Sequence, residues 1–348
     1  MKKIGIIGHF GAKKVFLDGQ TVKTKNLKML LEQYGGFDTY CVDTYLTNVS
    51  KVELLIRSIL CLIKCSDIII LLGENGMRFY LPFLYFTNKL FRRKIYHYVI
   101  GSELVGMVEK DRNLVKWLNG ITKNWFEYES GSATLRQMGV KNVETLPNCK
   151  MLDYLPRADI KPYVLNNEIY SFCTFSRVME EKGITDAILA IAGINKSHNK
   201  KLVHLDVYGQ VDETYREKFE KLLLKHGECV SYKGLVDSQK SVDVLRVYYA
   251  LLFPTRWPGE GFPGAILDCY ASALPIIATD WNANGEIIHH GKTGIIYPKE
   301  ELCDLRQAIE WSIKNDAAVN AMRFACREEY EKYTPEHIAA IICAELSK

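Results

Sequence analysis

The sequence has no run of about eighteen apolar residues, so no membrane-crossing helix is expected. Its ten cysteines include no Cys-x-x-Cys pair and no His/Cys cluster at zinc-binding spacing. Cys61 and Cys65 stand one helical turn apart in an apolar pattern and read as buried, reduced thiols, which points to a reducing compartment. The opening Met1-Lys-Lys-Ile-Gly-Ile-Ile-Gly8 is too short an apolar run, and too rich in Gly, for a signal peptide. A cytoplasmic location is therefore expected. Gly8-His-Phe-Gly11 follows the first strand but is not the GxGxxG dinucleotide fingerprint, which argues against a nicotinamide enzyme. No acidic cluster of the Asp-x-Asp kind stands out, so no metal site is expected. Neither an internal repeat nor a low-complexity tract is visible.

What remains is the composition of a globular protein, 48% hydrophobic and 25% charged, over 348 residues that suit two domains. Residues 1–160 hold 23 Lys and Arg against 15 Asp and Glu, and residues 161–348 hold 22 against 26. A basic first half suits an anionic partner. Apolar runs alternate with helical patterns, which predicts an α/β class with parallel sheets. Lys3 to Gly8, Asp67 to Gly73 and Ile95 to Gly101 read as strands, with a Gly-rich loop from Gly8 to Gln20. Leu27, Leu30, Leu31 and Tyr34 mark the core face of one helix; Val52, Leu55, Ile56, Ile59, Leu60 and Ile63 mark that of another. Trp117 to Gly139 reads as partly helical, Asn142 to Pro147 as a short strand, and Asp153 to Asn167 as a linker. The run from Arg78 through Leu81 to Lys94 mixes apolar and basic residues. It fits either shallow docking on anionic lipid headgroups or a core helix with a basic end, and the second is preferred.

The most informative stretch is Glu260-Gly-Phe-Pro-Gly-Ala-Ile-Leu-Asp268. It follows an apolar strand, Tyr249 to Pro254, and opens a helix near Gly264. Glu260 therefore falls in a loop at the carboxyl end of a strand, where doubly wound sheets bind ligands. Asp268 lies about two helical turns on. Upstream, Phe172-Cys-Thr-Phe-Ser-Arg177 reads as a strand delivering a cation, and Glu181-Lys182-Gly183 precedes a helix from about Thr185. Two fixed cations beside a helix start suit a diphosphate. Leu202 to Gly209, Tyr232-Lys-Gly-Leu-Val236, Ala273 to Thr279, and Gly285-Glu286 with Gly291 to Ile296 complete the series. Glu301 to Lys314, Ala317 to Lys332 and Glu336 to Leu346 read as helices.

This order resembles the retaining glycosyltransferases of family 4, which have the GT-B fold. The likeness is strong over roughly Ile169 to Pro298 and weaker but continuous over the first half. The family's Glu, seven residues, Glu motif ends here in Asp268, shorter by one methylene. The resemblance implies two doubly wound, Rossmann-like α/β domains facing a cleft. Residues 1–160 would bind the acceptor, residues 161–332 the nucleotide-sugar, and residues 333–348 would form a helix packed back on the first domain. It implies Arg177 and Lys182 on the donor pyrophosphate, Glu260 at the sugar, and Asp268 on the ribose. Gly209, Gly234, Val236, Gly261, Phe262, Pro263 and Gly264 would line the donor pocket, with Gly234 and Val236 at the base.

In the first half the resemblance places Gly8 and Gly11 near the donor phosphate or acceptor, with Asp18-Gly19-Gln20-Thr21 in the same loop. Thr21 alternatively reads as a helix N-cap. Ile100 stands where family members place a His, so His97, Glu103 and Glu286 stay as further candidates. A lone strand His is more often a hydrogen-bonded structural residue. The implied activity is sugar transfer from a UDP- or GDP-linked donor to a glycan or lipid-linked acceptor, with retention, in capsule, exopolysaccharide or lipopolysaccharide assembly. No cofactor, metal or nucleic acid is implied, and peripheral contact with the inner face of a membrane is. The alternatives are a GT-B epimerase or hydrolase, a phosphorylase, for which no pyridoxal-phosphate lysine is identified, and a non-catalytic sugar-binding protein.

Overall fold

The computed structural model describes residues 2–11, 19–45, 51–298 and 302–348, with Lys51 and Leu302 given by their backbone alone. The loop expected over 12–18, including Asp18, and the helix start at Glu301 lie outside the described residues. The chain divides into two compact units, Met1–Met151 with Lys332–Lys348, and Leu152–Glu331. The residues read as a linker belong to the second. No helix among the described residues is long and apolar enough to cross a membrane.

The first unit runs β1 (Lys3–Gly8), α1 (Gly19–Gln33), β2 (Asp38–Asp43), α2 (Lys51–Lys64), β3 (Asp67–Leu71), α3 (Glu74–Phe91) and β4 (Lys94–Tyr98). It continues with α4 (Glu103–Lys110), α5 (Asn113–Asn119), β5 (Lys123–Phe126), α6 (Glu129–Gln137) and β6 (Val143–Thr145). The strands form one parallel sheet in the order β2-β1-β3-β4-β5-β6. The chain steps from β1 one way to β2 and back past it to β3. Right-handed crossovers therefore put α1 on one face and α2 and α3 on the other. The contacts agree: the Ser58 hydroxyl of α2 meets the Tyr80 hydroxyl of α3 at 3.1 Å, while α1 shares a core with the last helix of the chain. All of β3 is buried because both its faces are covered.

Four details depart from the sequence reading. Gln20 and Thr21 lie in the first turn of α1 rather than in the loop, so Thr21 is not the cap. Tyr34 falls beyond α1 and is exposed. The segment 117–139 contains a strand, β5, whose Lys-Asn-Trp-Phe carries too little apolar alternation to announce itself. Finally, α2 buries Ser58, Cys61, Leu62 and the adjoining Cys65, and leaves Val52, Ile56, Ile59, Leu60 and Ile63 exposed. The reason is steric. α2 crosses β1 at Gly5, where a Cβ would stand 2.3 Å from the Cys61 sulfur. Only the small-residue side of the helix fits that approach, so the bulkier apolar stripe turns outward.

His97 lies inside β4, fully buried, with Nδ1 3.3 Å from Asn124 Oδ1 and no partner for Nε2 among the described residues. Burial pushes its pKa down to about 4. The folded pKa lies below the unfolded value, so the unfolded chain takes up the proton first on acidification. Stability from this group is full above about pH 6.5 and falls toward pH 4, by up to about 3 kcal/mol. Urea unfolding at pH 7 and pH 4.5 should show His97→Gln losing less stability on acidification than the parent. Equal losses would refute the assignment.

The second unit runs β7 (Tyr170–Phe175), α7 (Ile184–His198), β8 (Val203–Tyr208), α8 (Arg216–His226), β9 (Val230–Gly234), α9 (Ser241–Leu245) and β10 (Ala250–Phe253). It ends with α10 (Gly264–Ala271), β11 (Ile276–Thr279), α11 (Asn284–Ile287), β12 (Gly294–Tyr297), α12 (Leu302–Lys314) and α13 (Asp316–Tyr330). Its parallel sheet has the order β12-β11-β10-β7-β8-β9. The inward residues of α7, including Ile184, Ile188 and Ile191, share a core with Leu305 and Ile309 of α12. The last helix, α14 (Pro335–Leu346), belongs to the first unit, where Ile338, Ile342 and Leu346 join the core of α1 and β1. Thr334 caps it by accepting from the His337 amide.

Candidate functional site

In the second sheet the chain builds outward from β7 to β9, then returns past β7 to build β10 to β12. The strand order thus reverses between β7 and β10, and the loops at the carboxyl ends of those two strands diverge to leave a crevice. Arg177 and Lys182 follow β7, and Glu260 follows β10, so all three flank the switch point.

The structure brings Lys182 and Glu260 into direct contact. Lys182 Nζ lies 2.5 Å from Glu260 Oε2, and both side chains are about nine-tenths buried. The Thr255 hydroxyl donates to the same oxygen at 2.7 Å. The two loops are locked together by backbone. The Arg256 amide donates to Glu181 O at 2.7 Å, and the Arg256 guanidinium pairs with Asp186. Gly183 is needed here: it has φ of 70°, and a Cβ would sit 2.1 Å from Pro254 O. Asn282 donates to the Glu260 carbonyl at 3.0 Å.

Arg177 is placed differently. Its side chain is half exposed, 4.0 Å from Asp212, with the guanidinium 5.7 Å from the Trp257 ring centre. Trp257 escaped the sequence reading. The signal was present, since an aromatic in a Pro/Gly-rich loop after a buried strand can face a cation. Gly209 adjoins Arg177 in space: its φ is 134°, and a Cβ would meet Ser176 O at 1.8 Å. Its amide donates to Gly234 O at 2.9 Å, and the Tyr232 hydroxyl donates to its carbonyl at 2.8 Å. This ties the ends of β8 and β9 beside the cation, with Val236 half-buried in the loop that follows.

Gly261, Phe262 and Pro263 are buried, and Gly264 opens α10. Asp268 is 1% exposed, and its Oδ1 accepts from the Ser241 hydroxyl at 2.7 Å. Ser241 opens α9, directly after the loop from Gly234, so Asp268 anchors that loop to α10. Sequence spacing could not show this pairing across 27 residues. Glu286 is exposed on the one-turn α11.

The remaining candidates lie in the first unit. Gly8 ends β1 and Gly11 lies in the loop after it, at the point where that sheet's strand order reverses. A Cβ on Gly8 would press on Thr24 at 2.9 Å, so α1 approaches closely there. The Thr21 hydroxyl lies 2.5 Å from His9 Nδ1, and the Gln20 side chain lies against Gly73. Glu103 starts α4, where partial desolvation and then Glu74 raise its carboxyl pKa. A buried group not anticipated sits at the same edge. Lys23 Nζ contacts Glu127 Oε1 at 2.6 Å and Val99 O at 2.7 Å, and lies 3.5 Å from the centre of the Tyr98 ring. Burial lowers the Lys23 pKa against the opposing pull of Glu127. Among the described residues no group of three or more His, Cys, Asp or Glu is arranged to hold a metal ion.

Residues 169–315 match the profile of the family described as glycosyl transferases group 1. Over 83 residues the chain is 30% identical to the D-rhamnosyltransferase WbpZ of Pseudomonas aeruginosa, covering 24% of this chain and 22% of that protein. Over 203 residues it is 25% identical to the exopolysaccharide phosphotransferase SCO2592 of Streptomyces coelicolor, covering 58% and 19%. These matches span about a fifth of the length of those relatives. Among solved structures it resembles sucrose-phosphate synthase from Thermosynechococcus elongatus, with a TM-score of 0.75 at 16% identity over 100% of this chain and 98% of that one. It likewise resembles Anabaena HepE, solved in complex with UDP and glucose, with a TM-score of 0.72 at 13% identity over the whole of both chains. The chain therefore has the GT-B fold, two six-stranded parallel α/β units, and its residues 169–315 are similar to the glycosyl transferases group 1 family.

Proposed function

We propose that this chain is a retaining glycosyltransferase of the family 4 type that moves a sugar from a UDP- or GDP-linked donor to a glycan or lipid-linked acceptor in cell-surface polysaccharide assembly. The observation that supports this most is the Lys182–Glu260 pair at the switch point, with Arg177 beside it. As the anomeric C–O bond breaks, negative charge grows on the leaving diphosphate. Arg177 and Lys182 offset that charge from fixed positions without reorganising solvent. The acceptor hydroxyl forms the new bond on the face the diphosphate leaves, and its proton passes to a phosphate oxygen of the leaving group. Glu260 faces the sugar, Asp268 holds the ribose, and Gly209, Gly234 and Val236 frame the base. The two cations do the work a divalent ion does elsewhere, so the reaction is metal-independent. WbpZ and SCO2592, named for rhamnosyl transfer and for exopolysaccharide, support the polysaccharide setting.

The test begins with a thermal-shift panel of UDP- and GDP-sugars, since a ligand of the native state raises the melting temperature. The best donor then goes into a transfer assay with and without EDTA, and the product's anomeric configuration is read by NMR. Stabilisation by one nucleotide-sugar, EDTA-insensitive transfer and retained configuration are expected. Inverted product would end the retaining assignment, and no shift with any nucleotide-sugar would end the donor-site reading.

A further inference from the structure

We infer that the outer face of α2 and α3 is a docking surface for an anionic lipid bilayer. The first observation is the pattern on α2. Val52, Ile56, Ile59, Leu60 and Ile63 recur at helical spacing and all face solvent, with Val52 at 64% and Ile63 at 52% exposure. A helix apolar on both its core side and its outer side is normally enclosed, yet among the described residues of the unit none covers this stripe. The second is on the neighbouring α3, where Phe79, Phe86 and Leu90 repeat the pattern and Leu90 is 80% exposed. The two helices are held together by the Ser58–Tyr80 contact and by the Arg93 guanidinium, which donates to Leu62 O at the end of α2. The stripes therefore form one layer pointing away from the sheet. Exposed apolar area of this continuity marks an interaction site.

The charge selects the occupant. Residues 51–94 hold eight Lys and Arg against three Asp and Glu. Asp67 is buried and paired with Lys2, while Glu53 and Glu74 pair with Arg57 and Arg78 on their own helices. Lys64, Lys89 and Arg92 remain as surplus cations at the carboxyl ends of the two helices, and Lys89 lies 5.4 Å from the centre of the exposed Phe86 ring. Isoleucine, leucine and phenylalanine beside lysine and arginine match the acyl boundary and the phosphate layer of an anionic membrane. A second copy docking face to face would set these cations against each other. The surface makes the protein peripheral and demands no crossing helix.

The test is flotation of the full chain with vesicles of phosphatidylcholine alone or with about one third phosphatidylglycerol. It needs no substrate, so it is independent of the donor-site experiments. The parent should bind the anionic vesicles at least about tenfold more tightly than the neutral ones, and less well at high salt. Ile56→Ser, Ile63→Ser and Leu90→Ser combined should weaken anionic-vesicle binding at least about tenfold, with an unchanged circular-dichroism melting curve because all three positions are exposed. Lys64→Ser with Arg92→Ser should abolish the preference for anionic lipid. Failure of the parent to bind anionic vesicles would overturn the inference. So would parental binding by the triple-serine variant. A concentration-dependent dimer abolished by the same three changes, without vesicle binding, would assign the face to a second copy instead.

Discussion

Lys182→Ala is expected to lower the turnover number by about a hundredfold or more, equivalent to about 2.7 kcal/mol of lost transition-state stabilisation. Two effects add. On the proposed donor-site reading, the variant removes a cation from the leaving diphosphate, and it leaves the Glu260 carboxylate, nine-tenths buried, with only the Thr255 hydroxyl among the partners seen for Oε2. That freed charge then repels the donor phosphates. Glu260→Gln, which keeps an acceptor for Thr255 but releases Lys182, should also lower turnover while changing the donor KM little. Because the two side chains are paired in the unliganded protein, their double variant should lose much less than the product of the single losses. Arg177→Ala should cost a similar factor in rate with less effect on stability, since its side chain is half exposed. Steady-state constants and melting curves for the four variants decide the matter. Rates within about threefold of the parent for both Arg177→Ala and Lys182→Ala would sink the assignment.

Much of the second unit was legible because its strands are short apolar runs bounded by Gly and Pro. Tyr249 to Pro254 reads as a buried strand from its length and its flanking Pro and Gly, and that reading placed Glu260 in the following loop. What stayed hidden was contact through space. Lys182 and Glu260 are 78 residues apart, and Ser241 and Asp268 are 27, so neither pairing leaves a local pattern. In the first unit periodicity misled at α2. It identified the helix and its apolar stripe, but Gly5 of β1 decides which side packs, and that choice depends on close approach rather than hydrophobicity. β2, an edge strand reading Asp-Thr-Tyr-Cys-Val-Asp, passed unnoticed because one exposed side dilutes its pattern.

Asp268→Ala is expected to raise the donor KM about tenfold or more while leaving turnover near the parent value, because a ribose contact is made equally in ground and transition states. The structure adds a second route to the same outcome. Asp268 holds Ser241, and so holds the start of α9 and the loop from Gly234 that would frame the base. Ser241→Ala separates the two routes: it releases the loop and leaves the carboxylate in place. Folding should survive both changes. The Ser241 hydroxyl has one hydrogen and a second acceptor at 2.9 Å, Ser238 O, so loss of Asp268 does not leave it buried without a partner. If Asp268 acts on the ribose, Asp268→Ala should weaken donor binding well beyond Ser241→Ala, and 2′-deoxyribose donors should bind parent and Asp268→Ala alike. If it acts through the loop, the two variants should match each other and remain sensitive to the ribose hydroxyl. An unchanged donor KM in Asp268→Ala would mean that the carboxylate serves packing alone and that the donor site lies elsewhere.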